Sequence, residues 1–244
     1  MNSKYHINNQ DHRIFTGSDC PEVWDTIGRL QFDLCIEHGL HHHMKFIDIG
    51  CGSLRGGVHF IRHIGANYFG IDKHREMIDA GLDIELPAVG LHSSYDNFDV
   101  NSNFDISKFN VKFDMGIAQS VFTHLPLYKL IECLDQIHPH FNIGGKFIVT
   151  LYVNNSKQQT MEYDINYRLK PVFEGNPIDV DKHSIRPVNN DDPENDSGMK
   201  SFIFQRHTVQ SITPHIQDKW QMKALGGWKA HPRWPTLYVF KKVL

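Results

Sequence analysis

The sequence predicts an α/β fold: a doubly wound, mostly parallel sheet, ending in a C-terminal antiparallel hairpin, with a lid insertion between strands five and six. Three observations carry this expectation. Short runs of strand formers alternate with helical periods through residues 46–153; the first run ends in the glycine turn Gly50-Cys51-Gly52 and leads directly into an apolar helix pattern; and two late strand-like runs are joined by a short turn. Strand-helix alternation of this kind places parallel strands side by side, with crossover helices covering both faces.

Residues 1–18 are polar and without period, and are expected to form a loosely held lead-in, with order beginning near Pro21 and one domain over 19–244. Pro21-Glu22-Val23-Trp24 opens a helix whose apolar residues Trp24, Ile27, Leu30, Leu34 and Cys35 recur at helical spacing until Gly39. Strand one is Phe46-Ile47-Asp48-Ile49, and Val58, Phe60, Ile61 and Ile64 mark the helix after the glycine turn. Tyr68-Phe69-Gly70-Ile71-Asp72 is strand two, with a second helix over 73–82 and a weaker strand three over about 95–100. Strand four covers 113–120, a helix follows over about 126–138, and Gly144-Gly145 turns into strand five over 146–153. Residues 154–207 then break the rhythm with the polar run Asn189-Asn190-Asp191-Asp192-Pro193-Glu194; a structureless loop of that length is improbable in a compact domain, so part of it should be an ordered lid. A helix over 207–220 and strands near 221–226 and 236–241 complete the chain, with no internal repeat.

The chain has 244 residues, enough for one sizeable core and short of what two independent domains usually need. No stretch approaches the roughly 18 uninterrupted apolar residues of a membrane span. The N-terminus lacks the apolar core of a secretory signal, so a cytoplasmic location is expected. Cys20, Cys35, Cys51 and Cys133 show no paired spacing and read as reduced thiols. The net charge is -3 with no run of Lys and Arg, which disfavours nucleic acid and leaves small molecules as the expected partners.

Gly50 and Gly52, followed by Gly56 and Gly57, stand where a strand turns into a helix and backbone amides can approach a ligand closely. A dinucleotide fingerprint needs G-x-G-x-x-G, and here the third glycine falls one residue late. Asp48, two residues before the turn, would repel a pyrophosphate but favour a cationic ligand, such as an ammonium beside a sulfonium. S-adenosylmethionine has that charge pattern. Asp72, twenty residues past Gly52, can accept both hydroxyls of a ribose, a feature that serves either kind of cofactor.

The run Phe46-Ile47-Asp48-Ile49-Gly50-Cys51-Gly52-Ser53 resembles the first motif of class I S-adenosylmethionine-dependent methyltransferases, which are Rossmann-like, and Gly70-Ile71-Asp72 is similar to their second. Asn101-Ser102-Asn103-Phe104-Asp105 looks like their adenine-binding motif, although Asn103 stands where an acid is common. Gln119-Ser120-Val121-Phe122-Thr123-His124-Leu125-Pro126 and Gly144-Gly145-Lys146-Phe147 continue the likeness, which covers residues 21–153 and the terminal helix and hairpin; the lid matches nothing nameable. The resemblance implies a cofactor held by Asp48, Gly50, Cys51, Gly52, Ser53, Arg55 and Gly57, by Asp72 and Lys73, by Asn103 and Phe104, and by Gln119 and Ser120.

Several residues carry two readings. Arg55 is either a helix-surface cation or a group that orients the cofactor carboxylate or an anionic acceptor. Cys51 reads as small filler, since no base is nearby in sequence. His41-His42-His43 reads as a solvated turn, because adjacent histidines cannot all face one metal ion. His124 follows strand four at the carboxyl end of the sheet, where ligands of open α/β sheets bind, and is either a general base or a capping residue. The expected activity is methyl transfer to a small polar acceptor, such as O-methylation of a sugar, a phosphorylated metabolite or a natural product. The alternatives are a nicotinamide-dependent oxidoreductase and a non-catalytic cofactor-binding partner subunit.

Overall fold

The structure, a computed structural model, describes residues 5–7, 10–16, 21–153, 161–163, 186–187, 204–207, 209–227 and 236–244. The chain divides into two compact units, Met1–Gln119 with Gln136–Phe147, and Ser120–Asp135 with Ile148–Leu244.

In the first unit, β1 (Phe46–Ile49), β2 (Tyr68–Asp72), β3 (Phe98–Val100) and β4 (Phe113–Ala118) run parallel in the order β3-β2-β1-β4. All four residues of β1 are buried, the acid Asp48 included, as in a strand covered on both sheet faces. The core is aromatic: Phe46 stacks on Phe60 at 4.4 Å and on Tyr68 at 6.0 Å, while Phe69 meets Phe113 edge-on at 5.5 Å. Phe60 comes from α2 (Gly57–Ile64), whose Val58, Phe60, Ile61 and Ile64 are buried as their spacing predicts. The longer helix α1 (Pro21–Glu37) buries Trp24 and Cys35 and lies hard against the turn after β1. A Cβ on Gly28 would stand 2.2 Å from the Arg55 carbonyl oxygen.

Several boundaries differ from the sequence expectation, each for a local reason. Helix α3 (Arg75–Ala80) begins two residues late because the His74 amide is taken by the Asp72 carboxylate, and it passes into one π turn, Gly81–Glu85. Strand three starts only at Phe98, since Ser94 caps a tight turn over Tyr95–Asn97. Strand β5 (Phe141–Val153) starts ahead of Gly144-Gly145 and runs through them, with Gly144 at φ +83. A positive φ of this kind is readily adopted by glycine alone, so Gly144 reshapes the strand from within.

Residues 5–7 and 10–16 of the segment read as a polar lead-in are described. Strands His6–Ile7 and Gln10–Asp11 form a small hairpin that leads into one helical turn, His12–Phe15, capped by Asp11. His12 is buried, and both it and Arg13 are bonded to the buried Glu85. Polar contacts anchor this segment, and polar contacts leave no hydrophobic period.

In the second unit, the end of β5 pairs in parallel with residues of a short strand, Phe204–His207. That strand pairs with Met161–Tyr163, which in turn pairs with Arg186–Pro187. These three short strands are the described part of the expected 154–207 insertion; the remainder lies outside the described residues. The helix expected over 207–220 is shorter, Val209–Ile216. The predicted C-terminal hairpin is present: Trp220–Gly227 and Thr236–Lys242 pair antiparallel, with a bulge where Gly226 takes φ +108. The helix Leu127–Ile137 buries Leu130, Cys133 and Leu134, and Trp220 donates to the Leu134 carbonyl at 3.2 Å. No helix among the described residues is long and apolar enough to cross a membrane.

Candidate functional site

The turn between β1 and α2 is built by alternating backbone geometry. Gly50 and Gly52 take φ +76 and +54, and Leu54 is held at φ +63, a conformation that costs a residue with a Cβ of order 1–3 kcal/mol. The amides of Gly50 and Cys51 both donate to the Ile71 carbonyl, at 2.8 and 3.0 Å, which pins the turn to the end of β2. Asp72 completes the clamp, accepting from the Gly52 amide at 3.0 Å and from the His74 amide at 2.9 Å. Burial pushes the Asp72 carboxyl above the ordinary range while those two amides work against it. Each carboxylate oxygen has two lone pairs, so one protein amide apiece leaves each able to accept a further hydroxyl.

Asp48 is 5% exposed and accepts a 2.7 Å hydrogen bond from the Tyr68 hydroxyl. Burial pushes its carboxyl up to about 7; the Tyr68 bond and the Arg55 charge pull it down, and the Asp72 charge adds to the rise. The buried acid therefore has the partner that sequence reasoning demanded, but that partner is a phenol rather than a cation. Phe46 and Tyr68 are register partners across β1 and β2, and Asp48 lies two residues on from Phe46 on the same face. A long side chain reaches such a diagonal neighbour.

Arg55 donates to the Thr16 carbonyl at 3.0 Å, and burial lowers its guanidinium to about 10 against the opposing pull of Asp48. Cys51 is buried where a Cβ on Gly70 would stand 2.9 Å from its sulfur, and burial pushes its thiol well up, which fits filler rather than a nucleophile. Gly57 is buried between Leu54 and Tyr68; an added Cβ would lie 2.8 Å from the Leu54 Cβ and 3.0 Å from the Tyr68 hydroxyl. Its bareness thus serves the packing of α2 on the turn. Lys73 is exposed. The hydroxyl of Ser53 is fully buried with no hydrogen-bond partner among the described residues, and the same holds for His74 Nε2. Orphaned polar atoms at a glycine turn mark a place where a polar ligand would supply the missing bonds.

After β3, Asn103 is exposed and its amide oxygen accepts from the Asp105 amide at 3.4 Å, while Phe104 is buried at φ +61. Gln119 is half-buried just past β4. Ser120, at φ +58, donates its amide to the Thr150 hydroxyl at 2.7 Å. His124 is half-buried in the turn that follows, its amide bonded to the Val121 carbonyl at 3.0 Å. The neighbouring Thr123 hydroxyl is buried without a partner among the described residues. Four non-glycine residues among those described have positive φ, and three of them, Leu54, Phe104 and Ser120, lie in the loops after β1, β3 and β4. Strain of this kind concentrates where loops are shaped for ligands. The structure places Asp48, the glycine turn and Asp72 side by side, with Tyr68 and His74, which the sequence reading did not single out, bonded to the two acids. The strand pairing of Tyr68 is a signal that could have found it.

His41, His42 and His43 lie exposed in the turn before β1, their rings packed on one another, and no group of metal-ligating side chains occurs among the described residues. Cys35, Cys51 and Cys133 are buried free thiols.

No family model and no curated protein matches the chain. Solved structures do. The PH0226 protein from Pyrococcus horikoshii OT3 aligns with a TM-score of 0.57 at 14% identity over 92% of both chains. Magnesium protoporphyrin IX methyltransferase from Synechocystis PCC 6803, solved with bound SAM, aligns with a TM-score of 0.57 at 12% identity, covering 95% of this chain and 88% of its own. The N-methyltransferase NodS from Bradyrhizobium japonicum WM9, in complex with S-adenosyl-L-homocysteine, aligns with a TM-score of 0.53 at 12% identity over 98% and 94%. The fold is therefore the Rossmann-like fold of class I S-adenosylmethionine-dependent methyltransferases, in agreement with the sequence resemblance.

Proposed function

We propose that this chain is an S-adenosylmethionine-dependent methyltransferase acting on a small polar acceptor, by O-methylation of a sugar, a phosphorylated metabolite or a natural product. The observation that carries the reading is the clamp at the glycine turn. Asp72 ties the amides of Gly52 and His74 with one oxygen each and keeps lone pairs for a ribose, while Asp48 stands buried at the same turn, able to take a negative charge opposite an ammonium. A pyrophosphate would set two negative charges against that carboxylate, which disfavours the nicotinamide alternative.

When bound, S-adenosylmethionine supplies a methyl group on a positively charged sulfur. The chain's own residues then have four tasks. Asp72 accepts the ribose hydroxyls, Asp48 offers its carboxylate to the amino-acid end, and the glycines let the backbone come close. His124 takes the proton of an acceptor hydroxyl, a role that an amine acceptor would need less. A cytoplasmic setting is supported by the buried free thiols Cys35, Cys51 and Cys133. The small acceptor is supported by the net charge of -3 without a basic run.

Binding calorimetry with S-adenosylmethionine, S-adenosylhomocysteine and NADH tests the reading. Loss of charge-assisted bonds to the ribose should make Asp72→Ala weaker by about 10- to 150-fold. Micromolar NADH binding without measurable affinity for the methyl donor overturns the assignment. Tight binding of the donor with no turnover on any acceptor would make the chain a cofactor-binding partner subunit instead.

A further inference from the structure

We infer that N-terminal residues 5–7 and 10–16 form a strap that walls the cofactor site and is latched there by Glu85, an inference that rests on the cofactor reading above. The segment touches both residues that Asp72 ties together. Thr16 Cγ2 lies 3.4 Å from where a Cβ on Gly52 would stand, so the strap meets the turn at the residue whose amide holds Asp72. Phe15 meets the ring of His74 edge-on at 5.3 Å, and the His74 amide is the other partner of Asp72. Arg55, half-buried in the turn, donates to the Thr16 carbonyl at 3.0 Å.

The latch is unusually specific for a segment with no apolar stripe. Glu85 is 2% exposed, and His12 at 5% places its Nε2 2.6 Å from Oε1. Arg13 donates to both carboxylate oxygens, each at 2.6 Å, a fork that fits a carboxylate and no other common side chain. Burial alone would push Glu85 up, but the bonds from His12 and Arg13 outweigh it and hold the carboxyl below its ordinary range. Every hydrogen-bond partner of the Glu85 side chain among the described residues comes from the strap. When the strap leaves, both the carboxylate and its partners return to water together, so the latch can open without stranding a buried charge. A second tie lies two residues away, where Tyr5 and Tyr95 both donate to Asp83, at 3.1 and 2.9 Å.

Asp83 and Glu85 belong to the same π turn, Gly81–Glu85, a distortion frequent at functional sites. That turn presses on the glycine turn itself, since a Cβ on Gly81 would stand 2.5 Å from the Leu54 Cγ. One packed path therefore runs from the strap through Glu85 and Gly81 to Leu54, while Thr16 closes it directly onto Gly52. Arg13 also lies 5.0 Å over the ring of Trp24, which fixes the strap against α1.

The test uses the full chain and S-adenosylhomocysteine as the probe. Stopped-flow dissociation and association rates are measured for wild type, Arg13→Met, Arg13→Lys and Glu85→Gln, with amide exchange of residues 10–16 in the free and bound protein. Binding should slow exchange in the strap. Arg13→Met should release the probe about tenfold faster with little change in association, since a charge-assisted fork is lost at a half-exposed position. Arg13→Lys, which keeps the charge and one bond, should recover part of the loss in both release rate and melting temperature. Should Glu85→Gln fail to fold, Arg13→Met carries the test, because its side chain is not buried. Unchanged release rates, or faster association with tighter binding in Arg13→Met, overturn the inference; in the latter case the strap obstructs the site. A wild-type chain that is folded but does not bind the probe overturns both this inference and the cofactor reading, whereas wild-type binding with indifferent variants removes only the strap.

Discussion

The protonation of Asp48 yields the sharpest test of the site. Burial raises its carboxyl to about 7 from an ordinary value near 4, so between those two values the folded protein holds a proton that the unfolded chain does not. The stability this group contributes is present at low pH and is lost as pH rises toward 7, by an amount on the order of 4 kcal/mol. A cationic ligand reverses the preference, because its ammonium favours the charged carboxylate. For a group titrating near 7, about one molecule in ten is ionised at pH 6 and about nine in ten at pH 8, so Asp48 should weaken S-adenosylmethionine binding roughly tenfold at the lower pH. Binding at pH 6 should release nearly one proton, measurable by calorimetry in two buffers of different ionisation enthalpy. The ligand's own amino group also titrates, at about 7.7–8.0, so the informative comparison is with Asp48→Asn, which retains the ligand's contribution and loses the protein's. Tyr68→Phe removes the hydrogen bond that holds the carboxyl down and should move the transition to higher pH. An affinity that does not change between pH 6 and 7, or that changes identically in wild type and Asp48→Asn, would refute the assignment of Asp48 as the group facing the cation.

Two further outcomes follow from the packing and from the loop after β4. Gly81→Ala places a methyl 2.5 Å from the Leu54 Cγ at a buried position, and should lower stability by about 1–3 kcal/mol, read as a fall of several degrees in the melting temperature; an unchanged melt would show that the π turn and glycine turn are not tightly packed. His124→Asn should lower turnover by about 10²- to 10⁴-fold and abolish the acidic limb of the pH-rate profile, with cofactor affinity nearly constant. A loss below tenfold returns His124 to a capping role.

What could be read from the sequence was whatever its local pattern encodes. The run Phe46 to Ile49, three strand formers around Asp48, read as a strand of a sheet covered on both faces, and all four residues are buried; the glycines after it read as a strand-to-helix turn, in which Gly50 and Gly52 take positive φ. Asp72 was identifiable because an acid at a strand end, a fixed distance past a glycine turn, has few structural uses, and the carboxylate does close that turn. The order of strands and helices, and the late antiparallel hairpin, follow from the same periodicities.

Contacts between residues far apart in the chain left no such trace. The phenol beside Asp48 comes from the register of β1 against β2, which no single strand specifies. Strand five begins at Phe141 because Gly144 and Gly145 are accommodated within it, although the same pair reads locally as a turn. The polar lead-in is held by Arg13 and His12 on Glu85, more than seventy residues away. Hydrophobic periodicity records burial by apolar side chains facing one side of an element; an ion pair buries a segment through two or three atoms at fixed geometry, which only the assembled tertiary structure can place.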